Sequence, residues 1–244
     1  MLIYYVRHGH PNYTPNSLTP LGVRQAEAVA RRLARYGVDA VYASDSERAI
    51  QTAMPTAELI HKSTSDTHAP ITLLPFCNEK VAGKYFHAEE NGKKQWLWEL
   101  PGFTRLLASD EMASLGYEWY KHPVFAERHV EEGFAYVSEE LDALLASLGF
   151  EHDRKNHVYH VRKRENKRIA LFAHEGIGKV IMSSMLDIPL PMFAVHTDMC
   201  HSGLSVIRFA ENEDICVPRI ITYSNDAHLF YDNIPNYYRS REPF

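Results

Sequence analysis

Four times in this sequence a short apolar run ends in a polar segment, and at the second and fourth of these a helical pattern follows directly. Leu2–Val6 runs into Arg7-His8-Gly9, and Ala40–Ala43 into Ser44-Asp45-Ser46. Ile71–Leu74 leads to the segment carrying Glu79, and Arg168–Ala173 into His174-Glu175-Gly176. Apolar runs of this length predict buried strands. Strands alternating with helices predict an α/β chain: three layers, a mostly parallel sheet with helices on both faces. Open sheets of this kind place their ligand crevice at the carboxyl ends of the strands, so the four clusters are expected to converge.

The intervening helices carry their own signals. Thr19 is a candidate N-cap with Pro20 in the first turn, followed by Leu21, Ala26, Val29, Ala30 and Leu33 at helical spacing and a stop at Gly37. A second helix is predicted from about Glu47 to His61, with a disturbance at Pro55. Further helices are expected over Phe134–Leu148 and Gly176–Leu186. Val158–Arg162 and Arg168–Ala173 read as two strands joined by the polar turn at 163–167, a hairpin that would give the sheet a mixed edge. Leu204–Phe209 and Arg219–Tyr223 supply late strands. Residues 84–130 break the rhythm and hold all three tryptophans, Trp96, Trp98 and Trp119. They are expected to form an irregular, mostly helical cap insertion within a single domain spanning 1–244, placed where a lid over the crevice would lie.

Composition narrows the function classes. At 244 residues, 45% hydrophobic and 23% charged, the chain can bury a substantial core. A formal net charge of −5 suggests no general affinity for nucleic acid or an anionic membrane. Three widely spaced cysteines, Cys77, Cys200 and Cys216, form neither a disulfide framework nor a zinc knuckle. No secretory signal and no stretch of membrane-span length stands out, so a cytoplasmic protein is expected; the sequence leaves oligomeric state open. His152, His157 and His160 suit no standard closed metal site and are expected to be solvated strand side chains. His196, Asp198 and His201 fit either a metal triad or a loop beside the crevice, and the loop is the favoured reading.

Taken in order, Arg7-His8-Gly9, Leu18-Thr19-Pro20-Leu21-Gly22, Arg48-Ala49-Ile50-Gln51-Thr52-Ala53 and the late His174 resemble the signatures of the histidine phosphatase superfamily, the phosphoglycerate mutase-like proteins. The resemblance covers about 1–83 and 168–230. It implies a phosphoglycerate mutase-like fold and a phosphatase that hydrolyses small phosphorylated metabolites through a phosphohistidine at His8. His174 would hydrogen-bond the transferring phosphoryl group, and Glu79, four residues before Gly83, would be the general acid. Arg7 and Arg48 would bind phosphate, and Asn12 and Thr14 are further candidate contacts. The residue types suit the chemistry. Guanidinium forks offset the dianion that repels a nucleophile, and a neutral imidazole attacks when one ring nitrogen is bare. No metal or cofactor is called for, and the partner implied is a small phosphate ester.

Two departures bear on this reading. Glu175 stands where the family commonly has a small residue and is expected to point outward, since a carboxylate in the pocket would weaken dianion binding. His10 stands where the family often has Glu or Gln. A phosphoglycerate-type mutase is an alternative, but the family's mutases read Glu-Arg-His-Tyr-Gly where this chain reads Glu79-Lys80-Val81-Ala82-Gly83. A non-catalytic phosphoprotein-binding module is another, opposed by the complete set of site residues.

Overall fold

The computed structural model describes residues 1–63, 71–90, 92–210, 213–236 and 238. The chain opens with β1 (Leu2–Arg7), a small hairpin of β2 (Pro11–Asn12) and β3 (Ser17–Leu18), then α1 (Pro20–Tyr36). The Thr19 hydroxyl caps α1 by accepting the Gly22 N–H at 3.1 Å, and Gly37 closes it with φ +77°. β4 (Ala40–Ala43) leads into α2 (Glu47–Ser63), which runs through Pro55 unbroken. The disturbance expected there does not interrupt the helix. β5 (Ile71–Leu73) and a short 3₁₀ turn precede α3 (Glu79–Phe86).

The 84–130 region starts on α3 and continues as a β-hairpin of β6 (His87–Glu90) and β7 (Lys93–Trp96), where a mostly helical segment was expected. Short helices follow, among them α4 (Pro101–Leu107) and α5 (Asp110–Leu115). α6 (Val130–Ser147) is followed by β8 (Phe150–Asp153), β9 (Val158–Val161), β10 (Arg168–Ala173), α7 (Glu175–Leu186) and α8 (Leu190–Ala194). β11 (Leu204–Arg208), β12 (Ile215–Cys216), β13 (Arg219–Asn225) and α9 (Ala227–Tyr231) complete the elements.

The main sheet has the order β13-β11-β1-β10-β4-β5. β1, β10, β4 and β5 are mutually parallel, while β11 runs antiparallel to both β1 and β13. The mixed edge therefore comes from β11 and β13. The expected hairpin across residues 163–167 does not exist: β9 pairs with β8 and β12 in a separate three-stranded sheet, and the polar run carries the chain across to β10.

Alternation along the central strands buries both faces. Ile3, Tyr5, Ile169 and Leu171 face a core with Ile177, Val180 and Ile181 of α7 and Val137 and Leu141 of α6. Tyr4, Val6, Ala170 and Phe172 face Val29 and Leu33 of α1 and Ala53 and Ala57 of α2. Each large apolar side chain buried this way contributes on the order of 1.5–3 kcal/mol. Phe86, Leu97, Trp98, Leu107, Met112 and Trp119 of the 84–130 region join the α7-side cluster. Among the described residues no helix is long and apolar enough to cross a membrane.

Candidate active site

The site grows from the end of β1. The His8 N–H donates to the Ala173 carbonyl at the end of β10, and the Gly9 N–H donates to Thr52 Oγ1 of α2. The loop then presses against the first turn of α1. A methyl group at Gly9 would lie 2.5 Å from the Gly22 carbonyl oxygen, and one at Gly22 would lie 2.2 Å from that of His10. Only glycine fits at this crossing, which accounts for both motif glycines.

His8 is buried, and its Nδ1 lies 2.7 Å from the Gly9 carbonyl oxygen. A carbonyl only accepts, so Nδ1 carries the proton and Nε2 keeps its lone pair. Burial, then the neighbouring His174, Arg7 and Arg48, holds the imidazole well below the usual histidine range, so it is neutral near pH 7. The His174 ring lies 5.1 Å away, centroid to centroid.

His174 ends β10 as the cap residue of α7, and Tyr5 donates its hydroxyl proton to the His174 carbonyl at 2.7 Å. Its Nε2 lies 3.0 Å from Ser44 Oγ and 3.1 Å from Ser46 Oγ. Burial, reinforced by Arg48 and Arg7, lowers its pKa well below the usual value.

Glu79 is the first residue of α3, whose cap is the Asn78 side chain accepting the Lys80 N–H. One carboxylate oxygen accepts the Ile177 N–H of α7 at 3.0 Å; the other lies 3.7 Å from His174 Nδ1. Burial pushes the carboxyl up to about 7 against the Ile177 N–H and the two guanidiniums, which pull it down.

Arg7 uses Nη1 alone, bonding the Met199 carbonyl and Glu175 Oε2 (2.7 Å for the latter). Arg48 bonds Asn16 Oδ1 through Nη1 and lies over the Tyr13 ring at 5.8 Å. The Nε atoms of both arginines, and Nδ1 of His174, are buried without a hydrogen-bond partner. The charges of Arg7 and Arg48 act on His8, His174 and Glu79 alike, as expected of groups around one space.

His8, Glu79 and His174 also offer ligand atoms within 4.8 Å of one another. Two flanking guanidiniums disfavour a cation among them; the environment suits an anion.

Residues 3–90 match the sequence model of the histidine phosphatase superfamily (branch 1). Solved structures agree over nearly the whole chain. A phosphoserine phosphatase mutant from Entamoeba histolytica, bound to phosphoserine, superposes with a TM-score of 0.57 at 19% identity, covering 93% of this chain and 98% of that one. The mycobacterial glucosyl-3-phosphoglycerate phosphatase bound to inorganic phosphate gives 0.55 at 18% identity, with 93% and 98% covered. A putative alpha-ribazole-5'-P phosphatase from Escherichia coli gives 0.51 at 17% identity, again covering 93% and 98%. The chain has the histidine phosphatase fold. No curated protein sequence matches it.

Within this histidine phosphatase fold, Arg7, His8, Arg48, Glu79 and His174 come together, whereas Asn12 and Thr14 do not join them. Both are exposed on the β2–β3 hairpin, where Asn12 Oδ1 accepts the Thr14 N–H at 3.1 Å. The hairpin residues that reach the site are Asn16 and Tyr13, both through Arg48.

Glu175 corrects the sequence expectation, because it points inward. It is buried against Arg7, with its other oxygen 3.4 Å from the Met199 N–H and 3.8 Å from Lys179 Nζ. The Arg7 guanidinium removes the repulsion on which the outward reading rested. His201 sits beside the crevice, its ring 5.6 Å from His8 and 5.3 Å from His10, while Asp198 pairs with Lys179 at 3.0 Å.

The expectation of solvated histidines fails at His152, whose side chain is fully buried between Asp142 (2.9 Å) and Asp187 (2.8 Å). Ser44 and Ser46 belong to one of the four clusters expected at the crevice, but nothing in the sequence gives either a role toward His174. Their cap-rich Ser-Asp-Ser context points to helix initiation, and only the fold brings His174 against them.

Proposed function

We propose that this protein is a phosphomonoesterase that hydrolyses small phosphate esters through a phosphohistidine at His8. The observation that carries the reading is the set of unpaired buried polar atoms, Arg7 Nε, Arg48 Nε and His174 Nδ1, gathered around a neutral imidazole whose Nε2 is bare. Buried donors without partners are rare in folded proteins and call for a ligand that accepts from them. A phosphate offers three oxygens to do so.

In this mechanism His8 Nε2 attacks phosphorus and the ester P–O bond breaks. The departing alkoxide takes the proton of Glu79, which is substantially protonated near pH 7. Water then attacks the phosphohistidine and gives its proton to the Glu79 carboxylate. The N–P bond breaks, and its electron pair returns to Nε2. Arg7, Arg48 and His174 hold the equatorial oxygens through both steps.

Three neighbours of the same fold carry names of small phosphate ester phosphatases, which supports a small-metabolite substrate. We place the 84–130 region as a cap within a single domain, because Trp96 of its hairpin packs against the Gly176–Glu79 wall of the site. A cytoplasmic setting fits its three buried free cysteines. The test is acid- and base-quenched labelling with a phosphorylated substrate. The wild-type protein should retain an acid-labile, base-stable phosphoryl group, and His8→Ala should neither label nor turn over. A label that persists in His8→Ala would move the nucleophile elsewhere.

A further inference from the structure

We propose that Ser44 and Ser46 are positioning residues that fix His174 as its Nδ1–H tautomer, so that a neutral histidine presents a donor to the substrate phosphate. The inference rests on the phosphatase reading for its purpose, but on hydrogen counting for its content.

A neutral imidazole has one N–H, and either nitrogen can carry it. Two hydroxyls crowd Nε2, at 3.0 Å from Ser44 and 3.1 Å from Ser46. Both serines are buried, and Ser44 Oγ additionally accepts the Ser46 N–H at 3.3 Å. Neither hydroxyl proton has another acceptor among the described residues. Were Nε2 protonated, both hydroxyl protons would be left buried without an acceptor. The Nδ1 lone pair would be unmet as well, making three groups. With Nε2 bare, the ring satisfies one hydroxyl and only the other hydroxyl proton and Nδ1–H remain, the latter free for an entering acceptor.

Ser46 shows a second sign of this commitment. Its carbonyl accepts the Ile50 N–H that starts α2, which puts it at the N-cap. A serine there ordinarily turns its hydroxyl onto the first turn of the helix. Here the hydroxyl forgoes that bond and points at His174.

The proton is thereby placed on Nδ1. That atom is buried and unpartnered, 3.7 Å from Glu79 Oε2, beyond hydrogen-bond reach. A phosphate oxygen entering between His8 and His174 would meet an N–H. The other tautomer would meet it with a lone pair. Burial and two guanidiniums prevent His174 from solving the problem by taking a second proton.

The experiment is 15N-histidine NMR on the whole protein at neutral pH, with His174 assigned by the signal lost in His174→Asn. The wild-type ring should show Nδ1 protonated and Nε2 bare. In Ser44→Ala/Ser46→Ala the two tautomers should mix, and kcat on a phosphate monoester should fall roughly 10–100-fold, as when partners that orient histidine ligands are removed. Ser46→Thr, which keeps the hydroxyl, should preserve both. A wild-type His174 protonated at Nε2 overturns the proposal, as does a double variant that keeps a pure Nδ1–H ring. A wild-type ring protonated at Nε2 overturns the proposal whatever the double variant does. If that variant fails to fold, Ser46→Ala alone carries the test: it should mix the tautomers, and a pure Nδ1–H ring there overturns the proposal. The spectra need no turnover, so they stand apart from any failure of the phosphatase reading.

Discussion

The candidate active site and the far end of α7 both bury histidine side chains, and they treat them in opposite ways. At the candidate active site burial lowers the pKa of His8 and His174, and Arg7 and Arg48 push in the same direction, so both rings are neutral. At the far end of α7, burial also disfavours the charged form of His152, but hydrogen bonds to Asp142 and Asp187 outweigh it and raise the pKa. The His152 ring further stacks on Tyr159 at 4.0 Å, and Arg154 grips Asp142 through two nitrogens. Burial sets the penalty in both places; the sign of the neighbouring charge decides the outcome. One arrangement leaves a lone pair free for attack, and the other closes a structural clamp.

The contrast should show first in catalysis, and only on one side. Glu79→Gln removes the one carboxyl of the site whose pKa is raised into the neutral range, so single-turnover hydrolysis of an alkyl phosphate should slow by roughly two to four orders of magnitude. Phosphorylation by a nitrophenyl ester, whose leaving group departs unassisted, should slow far less. In the wild type, kcat/KM for the alkyl ester should fall as pH rises past about 7, where free Glu79 loses its proton. Equal losses on the two esters would leave Glu79 a wall of the pocket and the acid elsewhere.

Arg48→Met tests the charge that adds to burial in keeping His8 and His174 neutral. Turnover should fall by about two to three orders of magnitude through lost stabilisation of the transferring group. The His8 pKa should rise at the same time, read by NMR titration. A His8 titration that does not move would show that burial alone holds the ring neutral.

Asp187→Asn tests the other pole. One arm of the clamp is weakened, and the unfolding free energy should drop by about 1–3 kcal/mol with phosphatase activity intact. Urea denaturation alongside a turnover assay separates the two. Loss of activity at unchanged stability would tie the clamp to the site and end the division of roles.

The smallest effect is the pH dependence of stability, at most about 1.4 kcal/mol per pH unit for each group. The folded pKa of His152 is raised, so its contribution is fully present below the unfolded value of about 6.5 and is lost as pH rises through the folded value. His152→Gln should therefore cost most near pH 5–6 and less toward pH 8. His174 has a depressed folded pKa, so its contribution is present above about 6.5 and is lost as pH falls below it. His174→Gln should make the protein less acid-sensitive. Parallel pH profiles for the two variants would contradict the contrast.

The sequence made the candidate active-site pole legible and the His152 pole invisible, for a physical reason. His8, Arg48, Glu79 and His174 follow strands whose apolar runs are local signals, and the carboxyl ends of neighbouring strands must meet. His152 gains its partners from α6 and from the end of α7, through contacts that no short window contains. The same limit misplaced β9. A polar run between two apolar ones reads as a hairpin turn, but the ladder was decided by β8 and by β12, some fifty residues later. At Glu175 a free carboxylate would turn outward, but Arg7, distant in sequence, pairs with it in the interior.

β1 lies between β10 and β11 in the sheet, so both of its neighbours come from the last third of the chain. On a ribosome adding roughly 5–20 residues per second, the segment ending in Arg7-His8-Gly9 waits on the order of ten to thirty seconds before β10 emerges. Until then Ile3, Tyr4, Tyr5 and Val6 have no ladder to join. The part of the chain that carries most of the recognisable motif is thus the part least able to fold alone. A nascent or truncated product ending before residue 168 would present an unpaired apolar strand to chaperones and proteases, with no phosphate pocket yet assembled.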